Sequence, residues 1–111
     1  MLIIQSVISC EDFTPITPIP DPNRAISKPF CCDLLSIAMG KACENACWVT
    51  VMANINTLAV ATLTDVSCII LAEGAQFDET TLQKAISEEV VVFTTPLPVF
   101  DAALKVYESA D

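Results

Sequence analysis

Short, almost fully apolar runs recur along the chain from residue 47 onward. The runs at 47–52, at 67–72 and within 89–93 are rich in β-branched residues and have the length of strands. Strands that are apolar at nearly every position are typical of parallel sheets covered on both faces. No run approaches the roughly 18 apolar residues of a membrane span, so we predict no membrane segment.

Segments with helical spacing of apolar residues lie between these runs. They predict helices over 34–42 and 79–88, a mostly apolar helix that ends near Leu63, and a last helix that starts at Thr95–Pro96. Each follows a residue suited to capping: Asp33, Asn54 or Asn56, Asp78 and Thr95. The side chains expected to face the core are Leu34, Ile37, Ala38 and Ala42, then Leu82, Ala85 and Ile86, and finally Phe100, Leu104 and Tyr107.

The first thirty residues have a different pattern. Residues 2–8 are rich in β-branched side chains, which predicts a strand. Residues 11–30 hold five of the seven prolines. Because proline fixes φ and lacks an N–H donor, we predict an extended loop there, with at most a short edge strand near 25–27.

The alternation of strands and helices predicts one α/β domain over residues 1–111. We expect an open, mostly parallel, Rossmann-like sheet of four to five strands, with right-handed crossovers and helices on both faces. In such sheets, ligands bind beyond the carboxyl ends of the strands. The polar residues expected there are the candidate ligand-binding residues: Asp33, Asn54, Asn56, Glu73, Thr94 and Thr95, with Cys32 as a minor candidate.

Helix starts at this edge would present N–H groups that favour an anion such as phosphate. Ordinary capping is an alternative explanation for four of the candidates: Asp33, Asn54, Asn56 and Thr95. Folding does not require a carboxylate at Glu73, which is therefore the better functional candidate, although a solvated loop acid is compatible with the sequence too.

Charge narrows the classes of function. The chain has a net charge of −9, and residues 56–111 hold nine acidic residues and two lysines. Nucleic-acid binders normally present a basic face, so we predict no nucleic-acid binding. The hydrophobic fraction of 53% excludes a disordered chain. The segment 7–10 is similar to a lipoprotein cleavage box, but no basic residue precedes it and the apolar region is short, so we expect the cytoplasm.

The six cysteines follow no metal or cluster spacing, and the chain has no histidine. We therefore expect free thiols, no metal and no cofactor. A nucleophilic cysteine would lack a histidine base, and the two glycines cannot form a Gly-rich phosphate loop, so we predict no catalytic activity. A thiol-based redox or metal sensor is an alternative that would use Cys31, Cys32, Cys43 and Cys47.

Several blocks of the sequence resemble the DRTGG domain family. They are residues 23–39, which are similar to a pattern of Asp-Arg, Thr-Gly-Gly and Asp-Leu-Leu-Ser, then 48–61, Cys68-Ile69-Ile70, the Gly74 loop and Thr94 to Leu97. The resemblance covers about residues 23–107 in the family's order of blocks, and residues 1–22 lie outside it.

The resemblance implies a fold similar to the N-terminal domain of HPr kinase/phosphorylase. It also implies a regulatory, nucleotide-responsive module that forms homodimers and has no catalytic activity of its own. Some members are small stand-alone proteins encoded near iron-only hydrogenase genes. The expected ligand is thus a nucleotide or other small anion. The alternative is an accessory protein that acts through an acidic surface on a redox, hydrogenase-related partner.

The chain departs from the family pattern in the segment that gives the family its name. Arg24 is kept, but Asn23 replaces the Asp, Ser27 replaces the Thr, and Lys28–Pro29 replace the two glycines. Glycine permits positive φ and close approach of a ligand to the backbone, and Lys-Pro permits neither. A ligand contact by this turn is therefore not implied for this chain, unless Lys28 supplies a cation instead.

Overall fold

The structure is a computed structural model that describes residues 1–110. Within these residues, five helices and five strands follow one another: α1 (Ile4–Ile8), β1 (Thr14–Pro15), β2 (Pro29–Cys31), α2 (Leu35–Lys41), β3 (Cys47–Thr50), α3 (Ile55–Thr64), β4 (Cys68–Leu71), α4 (Glu79–Ser87), β5 (Val92–Thr94) and α5 (Val99–Glu108). None of these helices is long and apolar enough to cross a membrane.

The five strands form one sheet in the order β1-β5-β4-β3-β2. Strands β2 to β5 are parallel, and β1 joins β5 antiparallel at the edge. Helices α2, α3 and α4 cover one face of the sheet, whereas α1 and α5 cover the other. This arrangement confirms the predicted open, mostly parallel α/β sheet with helices on both faces.

Burial on both faces explains why the central strands are apolar at every position. All four residues of β3 and all four of β4 are fully buried. Successive side chains point to opposite faces, so Trp48 packs under α2 and α3 while its neighbours Cys47 and Val49 pack on the side of α1 and α5. Two separate apolar cores therefore meet at the same two strands.

The prediction of a strand over residues 2–8 is wrong, because this segment forms α1. Ile4 and Val7, one turn apart, both enter the core. The first N–H groups of the helix are satisfied by the following loop: Ile4 donates to the carbonyl of Arg24 (3.0 Å) and Gln5 to that of Pro22 (2.7 Å). A single antiparallel bridge between Ile3 and Ala25 is the strand-like contact of this region.

The proline-rich segment forms the edge of the sheet rather than a free loop. Thr17 is buried, and its Oγ1 both donates to the carbonyl of Val90 (2.8 Å) and accepts from the N–H of Val92 (2.9 Å). The Thr17 side chain thereby extends the pairing of β1 with β5. In the segment 25–27, where at most a short edge strand was predicted, the structure has one bridge, at Ala25, and the strand on the opposite edge of the sheet is β2, at 29–31.

The prediction of which side chains of the last helix face the core is also wrong. Phe100, Leu104 and Tyr107 are 71%, 40% and 69% exposed. The small residues Ala102 and Val106 face the sheet instead, which lets α5 lie close to it. Leu34 and Ile37, predicted to face inward from α2, are likewise 57% and 48% exposed, whereas Ala38 is buried as expected.

Arg24 joins two left-handed turns at the edge of the sheet where the parallel strands begin. Its Nε donates to Asn45 Oδ1 (3.1 Å), and Nη2 donates to the carbonyl and to Oδ1 of Asp65 (3.1 Å each). Asn45 and Asp65 have positive φ, which is uncommon outside glycine. Since they precede β3 and β4, the guanidinium fixes the starts of the two central strands.

We expect Arg24→Ala to lower the free energy of unfolding by about 1–2 kcal/mol, because it removes charge-assisted hydrogen bonds from a partly exposed side chain. Urea denaturation followed by circular dichroism measures the change. Lys28→Ala is the matched control, since it removes one positive charge from an exposed side chain next to β2. Equal losses in the two variants would contradict the role of Arg24.

Asp78 caps α4 as the sequence predicts. Its Oδ1 accepts from the N–H of Thr81 (2.8 Å), and this hydrogen bond lowers the pKa of Asp78 below its usual 3.8. Because the pKa is lower in the folded state, the cap stabilises the fold above the unfolded pKa and loses this contribution as pH falls through the folded value.

The stability lost in Asp78→Ala should therefore be larger at pH 7 than at a pH below about 3. Urea denaturation of wild type and variant at both pH values checks this. Asp78→Asn, which keeps a capping oxygen but cannot ionise, should show a loss with little dependence on pH. A loss in Asp78→Ala that does not change with pH would show that the carboxylate charge is irrelevant to the cap.

Candidate functional site

The carboxyl ends of β2 to β5 meet at one edge of the sheet, which we call the carboxyl edge. The strands end in register, with Thr50 opposite Leu71 and Leu71 opposite Thr94. All six of the predicted ligand-binding residues lie in or beside the segments that leave this edge. The fold uses them in different ways, which separates structural residues from those available to a ligand.

Asp33 does not cap α2, contrary to the sequence prediction. The residue at the cap position is Leu34, which makes no side-chain cap. The carboxylate of Asp33 instead accepts from Thr50 Oγ1 (2.6 Å) and from the N–H of Val51 (2.9 Å). Asp33 thus binds the end of β2 to the end of β3, because β3 leaves an N–H and a hydroxyl there that need an acceptor.

Asn54 is the cap of α3. Its Oδ1 accepts from the N–H groups of Asn56 (2.9 Å) and Thr57 (3.3 Å). Asn56 is the second residue of the helix, and its side chain is exposed with no hydrogen bond or ion pair in the described residues. The sequence left the choice between the two asparagines open, and the structure assigns the capping role to Asn54.

Glu73 and Gly74 form a left-handed turn after β4, with φ of 56° and 75°. The N–H of Glu73 donates to the carbonyl of Leu97 (2.9 Å), and that of Gly74 donates to the carbonyl of Thr95 (3.0 Å). These bonds join the turn to the segment that leaves β5. The turn is bound through its backbone, so the carboxylate of Glu73 points to solvent and is not used by the fold.

Thr95 is not the cap of α5, which begins four residues later at Val99 after Pro98. Thr95 is 2% exposed, its N–H donates to the carbonyl of Leu71 (3.0 Å), and its Oγ1 accepts from the N–H of Leu97 (3.2 Å). Its role is therefore to terminate β5.

Thr94 is half-buried and lines a cavity of about 230 Å³ with Ile16, Gln76, Phe77 and Leu82.

Thr50 and Thr57 are polar residues of this edge that sequence reasoning missed. Both are fully buried. Thr50 Oγ1 donates to Asp33 and accepts from the N–H of Met52 (3.1 Å), while Thr57 Oγ1 donates to the carbonyl of Met52 (2.7 Å). The sequence signal that could have identified Thr50 is its place at the end of an apolar strand, because a buried hydroxyl needs hydrogen-bond partners.

The cysteines do not form one cluster. All six are free, and the described residues contain no group of three or more metal ligands. Cys47 and Cys68 are buried side by side, and the hydrogen bond to Cys68 together with burial raises the pKa of Cys47. Burial, with the Asp33 carboxylate, raises the pKa of Cys31. Cys32, the minor candidate, donates from Sγ to the carbonyl of Leu34 (3.3 Å).

We expect Asn54→Ala to lower the free energy of unfolding by about 1 kcal/mol, because it removes the cap of α3. Asn56→Ala is the matched control and should change stability by a few tenths of a kcal/mol at most, since its side chain has no partner. Urea denaturation of the two variants measures the difference. Similar losses would mean that the cap is not specific to Asn54.

No family model matches the sequence, and no curated protein matches it. Among solved structures, the chain is similar to the CBS and DRTGG domains of the regulatory region of a Clostridium perfringens pyrophosphatase, solved with its activator diadenosine tetraphosphate. The TM-score is 0.70 at 14% sequence identity, over 96% of this chain and 49% of the pyrophosphatase chain. The chain spans about half the length of that neighbour, and the similarity at this identity shows a common fold.

Proposed function

We propose that the chain is a non-catalytic regulatory module of the DRTGG type, which binds a nucleotide or another small anionic ligand at the carboxyl edge. The observation that carries the proposal is the fold shared with a regulatory region that was solved with a nucleotide activator. The order of DRTGG-like blocks over residues 23–107 supports the same family. Because the sequence identity is 14%, the ligand and the regulatory role are stated for this chain as proposals.

The geometry of the carboxyl edge divides the six candidates into two groups. Asp33, Asn54 and Thr95 are occupied by hydrogen bonds that hold the edge together. Asn56, Glu73 and Thr94 have side chains without a hydrogen bond or ion pair in the described residues. We therefore propose Asn56, Glu73 and Thr94 as ligand contacts, with the first group as their support.

The charge at this edge determines how a phosphate could be bound. The segments 32–34, 51–54, 72–78 and 95–98 contain three acidic residues and no lysine or arginine. A bare polyphosphate would be repelled by these carboxylates. The proposal therefore requires that the phosphates arrive with bound Mg²⁺ and that the sugar or base makes the direct contacts. The Asn56 amide and the Thr94 hydroxyl would hydrogen-bond the base or sugar, and the Glu73 carboxylate would accept from a sugar hydroxyl.

The experiment is a thermal-shift titration of reduced protein with diadenosine tetraphosphate, ATP, AMP and adenosine, each with and without Mg²⁺. A ligand at 100 times its Kd should add about 2.7 kcal/mol, which is several degrees for a domain of this size. We expect the polyphosphate compounds to stabilise the protein more with Mg²⁺ than without it. The absence of any shift with all four compounds would overturn the nucleotide proposal.

Variants then test the location of the site. Asn56→Ala and Glu73→Gln should each weaken binding at least several-fold while leaving unfolding nearly unchanged, because neither side chain has a structural partner. Asn23→Ala, at an exposed position before Arg24, is the control and should bind as the wild type does. Binding that is unaffected in both variants would place the ligand elsewhere.

The alternative, an accessory protein for a redox or hydrogenase-related partner, stays a prediction from the acidic composition and from the family resemblance. It differs from the ligand proposal in one measurable respect. Binding through an acidic surface weakens steeply as salt increases. A thermal-shift screen without hits, followed by salt-sensitive capture of a redox protein, would favour it.

A further inference from the structure

The cavity that Thr94 lines lies beside the carboxyl edge, on the face of the sheet that α4 covers. Its walls come from three parts of the chain: Ile16 directly after β1, Thr94 at the end of β5, and Gln76, Phe77 and Leu82 around the start of α4. Its volume is about 230 Å³, whereas pockets that enclose a whole drug-sized ligand have about 300–1,000 Å³. The cavity therefore has the size for one ring system of a larger ligand.

Two polar side chains at this cavity have no partner among residues 1–110. The hydroxyl of Thr94 is half-buried and the side-chain amide of Gln76 is exposed, and neither makes a hydrogen bond or ion pair. The backbone on both sides of Gln76 is bound, because the N–H of Ala75 donates to the carbonyl of Ala72 (3.0 Å) and Asp78 caps α4. The fold thus places the amide at the cavity without using it.

Phe77 gives the cavity an aromatic wall. Its ring is half-buried and packs against the apolar core on the α3 and α4 side of the sheet, which holds the ring in place. Ile16 and Leu82, also half-buried, complete the apolar lining. An aromatic side chain provides a face on which a planar nucleobase can stack. The lining therefore combines a stacking surface with two unused hydrogen-bonding groups.

The charges around the cavity determine which part of a nucleotide it accepts. Asp78 and Glu79 follow Phe77 directly, and Glu73 lies three residues before Gln76. In a chain with a net charge of −9, these carboxylates repel a phosphate group. None of the described residues that line the cavity is charged. The base is the uncharged part of a nucleotide and is the part that suits this environment.

We propose that this cavity binds the base of an adenine nucleotide, which stacks on Phe77 and pairs with the amide of Gln76. The inference rests on the function proposed above, because that nucleotide is the ligand. A side-chain amide presents an N–H donor next to a carbonyl acceptor, which matches the N7 acceptor and the N6 amine of adenine. The hydroxyl of Thr94 is a further partner for the ring nitrogens.

The neighbouring segments accommodate the rest of the nucleotide. The turn at Glu73 is joined to the segment after β5 by the hydrogen bond from the N–H of Gly74 to the carbonyl of Thr95 (3.0 Å), so it lies next to the cavity. Strand β4 lies between β5 and β3, and neighbouring strands are about 4.8 Å apart. With the base in the cavity, the sugar lies beside Glu73 and the ligand extends along the edge toward Asn56.

The test compares ATP with purine riboside triphosphate, which lacks the N6 amine, by isothermal titration calorimetry with Mg²⁺. Wild type should bind ATP about two- to tenfold more tightly, which is the contribution of one hydrogen bond. Gln76→Ala should bind the two compounds equally, because the partner of the amine is gone. Gln83→Ala is the matched control and should keep the preference, since Gln83 is an exposed glutamine of α4 that bonds Glu79 (3.0 Å) outside the cavity.

A second pair of variants tests the stacking surface. Phe77→Leu keeps an apolar side chain in the core but removes the aromatic face, so it should weaken ATP binding about fivefold or more. Phe100→Leu is its control, because Phe100 is 71% exposed on α5 and does not line the cavity. It should bind ATP as the wild type does. Circular dichroism of each variant verifies that the fold is kept.

The outcomes separate this inference from the function on which it rests. If wild type binds ATP but shows no preference over the analogue, or if Gln76→Ala keeps that preference, the base lies elsewhere and the nucleotide function stands. ATP binding that is unchanged in Phe77→Leu leads to the same conclusion. If ATP does not bind wild type at all, the proposed function fails and the base site fails with it.

Discussion

The structure depends on the burial of β3 and β4 from both sides. No residue of these strands reaches solvent, so each needs an apolar layer above and below it. Helices α2 to α4 supply one layer, and α1 and α5 supply the other. The chain must therefore return to the sheet after β5 and must place its first residues there too. The N-terminal segment contributes to this layer as a helix, whose residues Ile4 and Val7, one turn apart, are buried.

The two ends of the parallel strands are stabilised by different chemistry. Where the strands begin, a single guanidinium joins two left-handed turns. Where they end, short hydrogen bonds connect neighbouring segments: Asp33 to the end of β3, and the turn after β4 to the segment after β5. The backbone of the carboxyl edge is consequently held by hydrogen bonds between neighbouring segments, while Asn56 and Glu73 remain exposed. Such a frame is suited to ligand binding, because the contacts are held in place before the ligand arrives.

The sequence predicted the central strands well because two-sided burial leaves a continuous apolar run. It predicted the Asp78 cap because that hydrogen bond is local. Prediction from the sequence failed where the hydrogen-bond partners of a residue are distant in sequence. Asp33 has the side chain of a helix cap, but its carboxylate accepts from the end of β3, which only the folded sheet brings near. The hydroxyl of Thr95 does bond locally, to the N–H of Leu97, while the N–H of Thr95 pairs with the carbonyl of Leu71 in the neighbouring strand. The inward side of α5 was assigned to its largest side chains, whereas close packing on the sheet selected alanine and valine.

One consequence follows from the proline-rich segment that borders the sheet. A sheet with two open edges can add copies at both ends and grow without limit, which leads to fibres. Here both edge strands contain a proline, Pro15 in β1 and Pro29 in β2, and each removes a backbone donor from the free side of its strand. The same prolines that shape the fold therefore oppose the addition of a further strand at either edge and protect the sheet from polymerisation.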